Sequence, residues 1–294
     1  MTKISILITS FKEPKTIGKA IESFLKQKIK NYELIVTAPD KETLDVVKIY
    51  SQKNKRIKIL KDDGKGKPNA LNKAFKKLNG EYVILSDGDV YVSENSVNEL
   101  VKNFNKKDVG GVSARVISTN NRNNLFGYWA YVLSEGFHNL REKENKIGKN
   151  IICSGYLYAI KRELFENIPG NILADDSYIS FLINSKKYRT IYEPNAKVYV
   201  KYPDNLIDWI KQKKRTAGRF YQLKTYFKIS KIHSFKEEIF SGIKTISLIK
   251  NFKELFFFLF LIVMRIYIWI RVFLDFRLWG RDFKKTWKRV ESTK

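Results

Sequence analysis

Tyr82-Val-Ile-Leu-Ser-Asp-Gly-Asp89 is the stretch that decides the fold. Tyr82–Leu85 is a short apolar, β-rich run fit for a strand, and it leads directly into two carboxylates separated by one glycine. The same kind of run occurs three times upstream, at Ile4–Thr9 (ISILIT), Glu33–Thr37 (ELIVT) and Arg56–Leu60. Helical patterns lie between them. Pro14 sits where a first helical turn tolerates it, and Ile17, Ile21, Phe24 and Leu25 share one face. Glu42–Tyr50 repeats the helix, and Pro68 opens a third that carries Ala70, Leu71, Ala74 and Leu78 before Gly80 ends it. This βαβαβαβ rhythm predicts an α/β fold: an open, mostly parallel, Rossmann-like sheet with helices on both faces. Such sheets bind ligands at the carboxyl ends of their strands, so the loops that follow the strands should carry the chemistry.

Beyond about Asn120 the pattern is mixed. Gly155–Ile160 reads as a strand, Ala174–Asn184 as a short helix, and Arg189–Tyr192 and Lys197–Lys201 as strands. Asp204–Phe227 reads as a long basic helix. The C-terminal part differs in composition. Leu255–Met264 (LFFFLFLIVM) is wholly apolar, and Ile266–Ile270 continues it past Arg265. At about 1.5 Å per residue the run 255–270 covers roughly 24 Å, short of the ~30 Å hydrocarbon layer. Arg265, Arg271 and Arg277 recur every six residues, about 120° apart around a helix, which is not a single polar stripe. We read this segment as membrane-associating, with Trp269, Trp279 and Trp287 as interfacial anchors; spanning and half-inserted geometries both stay open. The competing reading is a buried helix of a soluble domain. The chain then divides into a catalytic domain, 1–228, and a helical C-terminal region, 229–294, with its apolar segment at 252–274.

Composition narrows the function. The 294 residues include 56 Lys+Arg against 30 Asp+Glu, a formal charge of +26. With 44% hydrophobic and 14% aromatic residues, the chain can bury a core and is neither disordered nor collagen-like. One cysteine, Cys153, and two histidines, His138 and His233, exclude a disulfide framework and argue against Cys- or His-based metal chemistry. The lysines are scattered, which fits a solvated basic surface as well as a polyanionic partner. The N-terminus has no basic stretch followed by an apolar core, so the catalytic part is expected in the cytoplasm.

Four local patterns could carry chemistry. Asp87-Gly88-Asp89 at a strand end could grip Mg²⁺ or Mn²⁺ together with a diphosphate, or could simply be a turn. Asp63-Gly-Lys-Gly-Lys-Pro68 precedes a helix start that would favour phosphate, but its glycine spacing is neither that of a P-loop nor of a dinucleotide fingerprint. Asp175-Asp176 opens a short helix, where the dipole favours carboxylates whether or not one is a general base. Gln212 and Arg215 share a helix face and could reach one diphosphate, or belong to a solvated surface.

The order of these pieces matters more than any one of them. A strand with Ser-Phe-Lys-Glu, then Gly-Lys-Gly-Lys-Pro-Asn-Ala-Leu-Asn, Asp-Gly-Asp, Ser-Gly-Tyr-Leu-Tyr-Ala-Ile-Lys-Arg, Asp-Asp and Gln-x-x-Arg resembles the family 2 glycosyltransferases over residues 3–220. The resemblance implies a GT-A fold and an inverting enzyme that uses a nucleotide-diphosphate sugar, by default a UDP-sugar. It implies that Thr9, Ser10 and Glu13 line the nucleotide pocket. Asp40 would contact the base, Lys67 would lie near the nucleotide, and Asp87 would lie near ribose and metal. Asp89 would ligate Mg²⁺ or Mn²⁺ directly. Asp176 would be the catalytic base, with Asp175 where the family more often has Glu. Gln212 and Arg215 resemble the Gln-x-x-Arg-Trp element of the membrane-bound, polymer-forming branch. Thr216 replaces its Trp, which counts against a processive polymerase.

The acceptor implied is a hydroxyl-bearing molecule, lipid-linked or a glycan, used at the cytoplasmic face of the cell membrane. Two other classes compete. A nucleotidyltransferase that makes sugar nucleotides would place a Gly-rich basic loop after the first strand, where this chain has Ser10-Phe-Lys-Glu-Pro14. A nucleic-acid-binding protein would show a concentrated basic helix or aromatic signature, so no nucleic-acid partner is expected.

Overall fold

The computed structural model describes residues 3–227, 242, 244–280 and 289–293. Its centre is an eight-stranded sheet. The strands are β1 (Ile4–Thr9), β2 (Tyr32–Ala38), β3 (Ile57–Lys61), β4 (Tyr82–Asp87), β5 (Val90–Val92), β6 (Val109–Ser118), β7 (Leu157–Lys161) and β8 (Arg189–Val200). They lie in the order β3-β2-β1-β4-β7-β6-β8-β5. The first four run parallel; β7 is antiparallel to β4 and β6, β8 is parallel to β6, and β5 is antiparallel to β8. The sheet is therefore parallel in its first half and mixed in its second.

Alternation along β1 feeds two cores. Ile4, Ile6 and Ile8 pack with Ile17, Ile21 and Phe24 of α1 (Ile17–Leu25) on one face. Leu7 packs with Leu71 and Ala74 of α3 (Lys67–Phe75) on the other. Every residue of β1 is buried, and each such isoleucine or leucine stabilises the fold by about 1.5–3 kcal/mol. Between these helices in sequence, α2 is Lys41–Lys53.

The strands expected at 189–192 and 197–201 form one continuous strand, β8. Its register slips between Ala114↔Glu193 and Arg115↔Lys197, so Pro194-Asn195-Ala196 bulge out, consistent with a proline that has no N–H to give the ladder.

The second half adds α4 (Ser96–Val101), α5 (Leu125–Lys146), α6 (Asp175–Ser185), α7 (Leu206–Tyr226) and α8 (Phe252–Phe273). A third apolar cluster joins α5, α7 and α8 through Tyr128, Trp129, Trp209, Phe258, Leu261 and Ile268. The Trp129 indole N–H donates to the Phe257 carbonyl at 2.7 Å, and Arg122 grips both carboxylate oxygens of Glu254. One side of α8 is thus bound to the protein. The other is apolar and open, with Phe256, Leu259, Val263 and Ile270 each more than half exposed. Phe252–Leu278 is long and apolar enough to cross a membrane, with an 18-residue stretch of mean hydropathy 2.2. The boundary expected at 228 and the anchor expected at Trp287 lie outside the described residues.

Candidate active site

Parallel register sets the site's floor. Thr9 pairs with Thr37 on one side and Asp87 on the other, so β1, β2 and β4 end at the same level. Above these ends lies a cavity of about 1260 Å³.

The chain leaves β1 through Thr9 and Ser10. The Ser10 hydroxyl donates to Glu13 Oε2 at 2.7 Å, while the Glu13 N–H donates to Thr43 Oγ1 at 2.9 Å. This tight turn leaves little room for Gly88: a Cβ there would come within 2.5 Å of Glu13 Oε2 and Ser10 Oγ. The glycine between the two aspartates is a close-approach position as well as a turn residue.

Lys67 starts α3 directly after Gly66, whose φ of +96° only glycine adopts without strain. Its ammonium lies 2.7 Å from Asp87 Oδ1 and 3.4 Å from Asp175 Oδ2. Burial opposes the lysine's charge, yet Asp175 and Asp87 outweigh it and hold Lys67 above its ordinary range. Burial, with Asp176 and Asp87 nearby, pushes the Asp175 carboxyl upward, and Lys67 restrains the shift. Asp175 Oδ2 is buried and accepts no hydrogen bond among the described residues.

Asp176 is held differently. Its Oδ2 accepts the Gly155 N–H at 2.9 Å, its Oδ1 accepts the Ser177 N–H at 2.7 Å, and Arg219 Nη1 lies 3.9 Å from Oδ2. Gln212 donates to the Tyr156 hydroxyl at 3.3 Å, and its Oε1 is buried without a hydrogen-bond partner among the described residues.

Of the residues singled out in the sequence, Thr9, Ser10, Glu13, Lys67, Asp87, Asp89, Asp175, Asp176, Gln212 and Arg215 all line this one cavity. Asp40 does not. Its Oδ1 caps α2 by accepting the Thr43 N–H at 2.9 Å, and its Oδ2 accepts the Lys12 N–H at 2.8 Å. Pro39 and Asp62 form that part of the wall instead. Asp62, at the end of β3, is bound by the Thr37 hydroxyl and the Gly64 N–H.

Sequence reasoning also missed Arg141, Arg219, Tyr202 and the C-terminal residues Arg289, Val290 and Thr293, all of which line the cavity. Arg289 donates to the Lys12 carbonyl at 2.6 Å, and the Glu291 and Ser292 N–H groups donate to Asp208 Oδ2 at 3.0 and 2.9 Å. His138 lies in the wall too, within 2.9 Å of the Tyr192 hydroxyl.

Asp87 and Asp89 supply oxygen ligands only. Among the described residues no group of three or more His, Cys, Asp or Glu could hold a metal by itself. That donor set fits Mg²⁺ or Mn²⁺, which bind through one or two carboxylates and complete their shell with phosphate oxygens and water.

Known proteins resemble this chain in sequence and, separately, in structure. The model of the family described as glycosyl transferase family 2 matches residues 5–169. The hyaluronan synthase of Streptococcus pyogenes is 22% identical over 242 residues, 75% of this chain and 57% of that protein. The poly-beta-1,6-N-acetyl-D-glucosamine synthase of Staphylococcus aureus (strain COL) is 22% identical over 240 residues, 79% of this chain and 58% of that protein. The chain thus spans somewhat over half the length of these relatives. Among solved structures, the mannosyltransferase PcManGT from Pyrobaculum calidifontis, in complex with GDP-Man and Mn²⁺, superposes with a TM-score of 0.62 at 19% identity, covering 97% of this chain and 72% of that one. TarS 1-349 of S. aureus, in complex with UDP, gives 0.51 at 17% identity, covering 74% of this chain and 65% of that one. These likenesses establish a GT-A fold with a mixed sheet.

Proposed function

Since the chain belongs to glycosyl transferase family 2, we propose that it is an inverting glycosyltransferase. It moves a sugar from a nucleotide-diphosphate donor, by default a UDP-sugar, to a hydroxyl of a lipid-linked or glycan acceptor. The observation that carries this reading is the line of groups in one cavity, Asp87–Lys67–Asp175 and then Asp176–Arg219, above the aligned ends of β1 and β4. A cleft with paired cation and carboxylates at strand ends suits a diphosphate leaving group on one side and a proton acceptor on the other.

The reaction is a single displacement. The acceptor oxygen forms a bond to the anomeric carbon while the bond from that carbon to the phosphate oxygen breaks. Asp176 takes the hydroxyl proton, and the nucleoside diphosphate departs with the electron pair. Lys67, Gln212 and Arg215 meet the charge that develops on the departing group. Asp87 and Asp89 would hold Mg²⁺ or Mn²⁺, which supplies further electrostatic stabilisation there. Thr9, Ser10, Glu13 and Asp62 fit the nucleotide end of the cleft, and the solved complexes with GDP-Man and Mn²⁺ and with UDP support ligands of that class.

The exposed apolar side of α8 supports attachment to a membrane, in this reading its cytoplasmic face; residues 1–228 supply most of the cleft, and Arg289, Val290 and Thr293 complete its wall. Because the opposite side of α8 packs on α5 and α7, a helix lying against the bilayer suits this arrangement better than a free span. The testing experiment needs no acceptor: UDP- and GDP-sugars are incubated with the full chain and Mn²⁺ or Mg²⁺, and nucleoside diphosphate release is measured. Metal-dependent release from at least one donor is expected. No release and no nucleotide binding across the panel would overturn the proposal.

A further inference from the structure

The wall made by α5 and α7 carries more positive charge than the donor requires. Arg141 of α5 and Arg215 and Arg219 of α7 all face the cavity. Arg141 donates to the Ile152 carbonyl at 3.2 Å, and no carboxylate lies within 4.0 Å of it among the described residues. Arg215 likewise has no ion pair there. Arg219 has only Asp176, at 3.9 Å, and its Nε is buried without a hydrogen-bond partner among the described residues. Burial, with Arg141 and Arg215 close by, pulls Arg219 below its ordinary value, and Asp176 alone opposes that shift. With Arg215 assigned to the departing diphosphate, the half-buried guanidinium groups of Arg141 and Arg219 have one carboxylate within 4.0 Å between them among the described residues, Asp176, and this surplus positive charge favours an anion there.

The position of the charge separates it from the donor. Along α7, Gln212 reaches Tyr156, whose hydroxyl feels the Asp89 and Asp87 carboxylates, whereas Arg219 lies almost two turns further on, beside Asp176. The diphosphate end and the arginine end are therefore opposite ends of one helix face. Asp176, in the function proposed above, marks where the accepting hydroxyl sits.

From this geometry we infer that the acceptor carries a phosphate or diphosphate group, seated on Arg141 and Arg219 beside the hydroxyl that reacts. The inference rests on the glycosyltransferase reading and narrows its acceptor from any hydroxyl compound to a phosphorylated one. The phosphate could belong to a lipid carrier or to a soluble sugar phosphate. α5 favours the lipid: its C-terminal half supplies Phe137, His138 and Arg141 to the cavity, while its N-terminal half packs against the apolar helix α8.

The test uses the full chain in detergent, with UDP or GDP and Mn²⁺ at saturation, titrated calorimetrically with farnesyl phosphate, farnesol, inorganic phosphate and chitotetraose. Charge-assisted hydrogen bonds of this kind predict that farnesyl phosphate binds roughly tenfold or more tighter than farnesol, and that Arg141→Gln and Arg219→Gln each remove about that margin. Arg141→Lys should restore part of it, which loss of folding would not allow. Tighter binding of farnesyl phosphate than of inorganic phosphate supports a lipid carrier; equal binding supports a soluble sugar phosphate. Equal affinity for farnesyl phosphate and farnesol, or displacement of both by chitotetraose, overturns the phosphorylated acceptor while nucleotide binding leaves the glycosyltransferase standing. Absence of nucleotide binding would instead remove the reading beneath it.

Discussion

The backbone N–H of Gly155 donates to Asp176 Oδ2 at 2.9 Å, linking the approach to β7 with the first turn of α6. With the Ser177 N–H on the other oxygen, the carboxylate is fixed in direction before any substrate enters. Asp175 next to it lacks such donors at Oδ2 and is occupied with Lys67. In the proposed reaction the two neighbouring aspartates therefore have separate tasks. Asp176→Asn should keep nucleotide binding near wild type and lower turnover by about 10²–10⁴, the span of a general base. Asp175→Asn should act mainly on the donor KM. Turnover above a tenth of wild type in Asp176→Asn would move the base elsewhere.

How much of this was legible in the chain follows from distance in sequence. β1 to β4 and the carboxylates of Asp87 and Asp89 are visible because strand pattern and motif lie within a few residues. β6 was not singled out: Gly110 and Gly111 interrupt its apolar run, yet a Cβ on Gly110 would lie 2.5 Å from Leu164 Cδ1, so close packing requires glycine there. Arg141 lies in the stretch Asn139–Lys146, which reads as a solvated charged helix end, and only the packing of α5 turns it toward the cavity. Asp40 shows the opposite error. A carboxylate just after β2 suits a ligand contact, but the same position is the N-cap of α2, and the cap takes both oxygens together with the Lys12 N–H. Arg289 reaches Lys12 across 277 positions, a contact no local pattern encodes.

Lys67 is the cation between two acids of the cleft. Lys67→Met should weaken nucleoside diphosphate binding by roughly tenfold or more, the value of a charge-assisted bond to phosphate, with Lys67→Arg intermediate. Equilibrium binding of UDP and GDP in the presence of Mn²⁺ measures it. Unchanged affinity would assign Lys67 to holding Asp87 and Asp175 together and nothing more.

Glu33, deep in β2, predicts acid sensitivity unrelated to catalysis. Burial alone would raise its carboxyl, but Lys58 at 2.7 Å, the Asn79 N–H and the Ser5 hydroxyl outweigh burial and lower it from 4.5 to about 2. A carboxyl depressed in the folded state favours folding when ionised. That contribution is complete above about pH 4.5 and is lost as pH falls toward 2. Its full size is about 3 kcal/mol. Urea unfolding of wild type and Glu33→Gln should differ most at neutral pH and converge toward pH 2. A constant gap across that window would show that the charge of Glu33 contributes nothing.

The apolar helix is tied to the wall of the cleft by a charge pair whose acid is buried, and this yields the last prediction. Lys214 of α7 lies 2.5 Å from Asp275, which is fully buried in the turn that follows α8. The neighbouring Gly218 lets Phe276 approach so closely that an added Cβ would lie 2.6 Å from its ring. Removing one member of a largely buried charge pair costs up to about 3–5 kcal/mol, whereas replacing both with apolar groups is often neutral. Lys214→Met should therefore lower thermal stability markedly and loosen α8 from α7, and Lys214→Met combined with Asp275→Leu should recover most of the loss. Thermal unfolding of the three proteins in one detergent measures this. If the double variant is no more stable than the single one, the pair holds α8 in place by its own specific geometry, and apolar packing along Trp209, Phe258 and Leu261 is not enough to keep the helix docked.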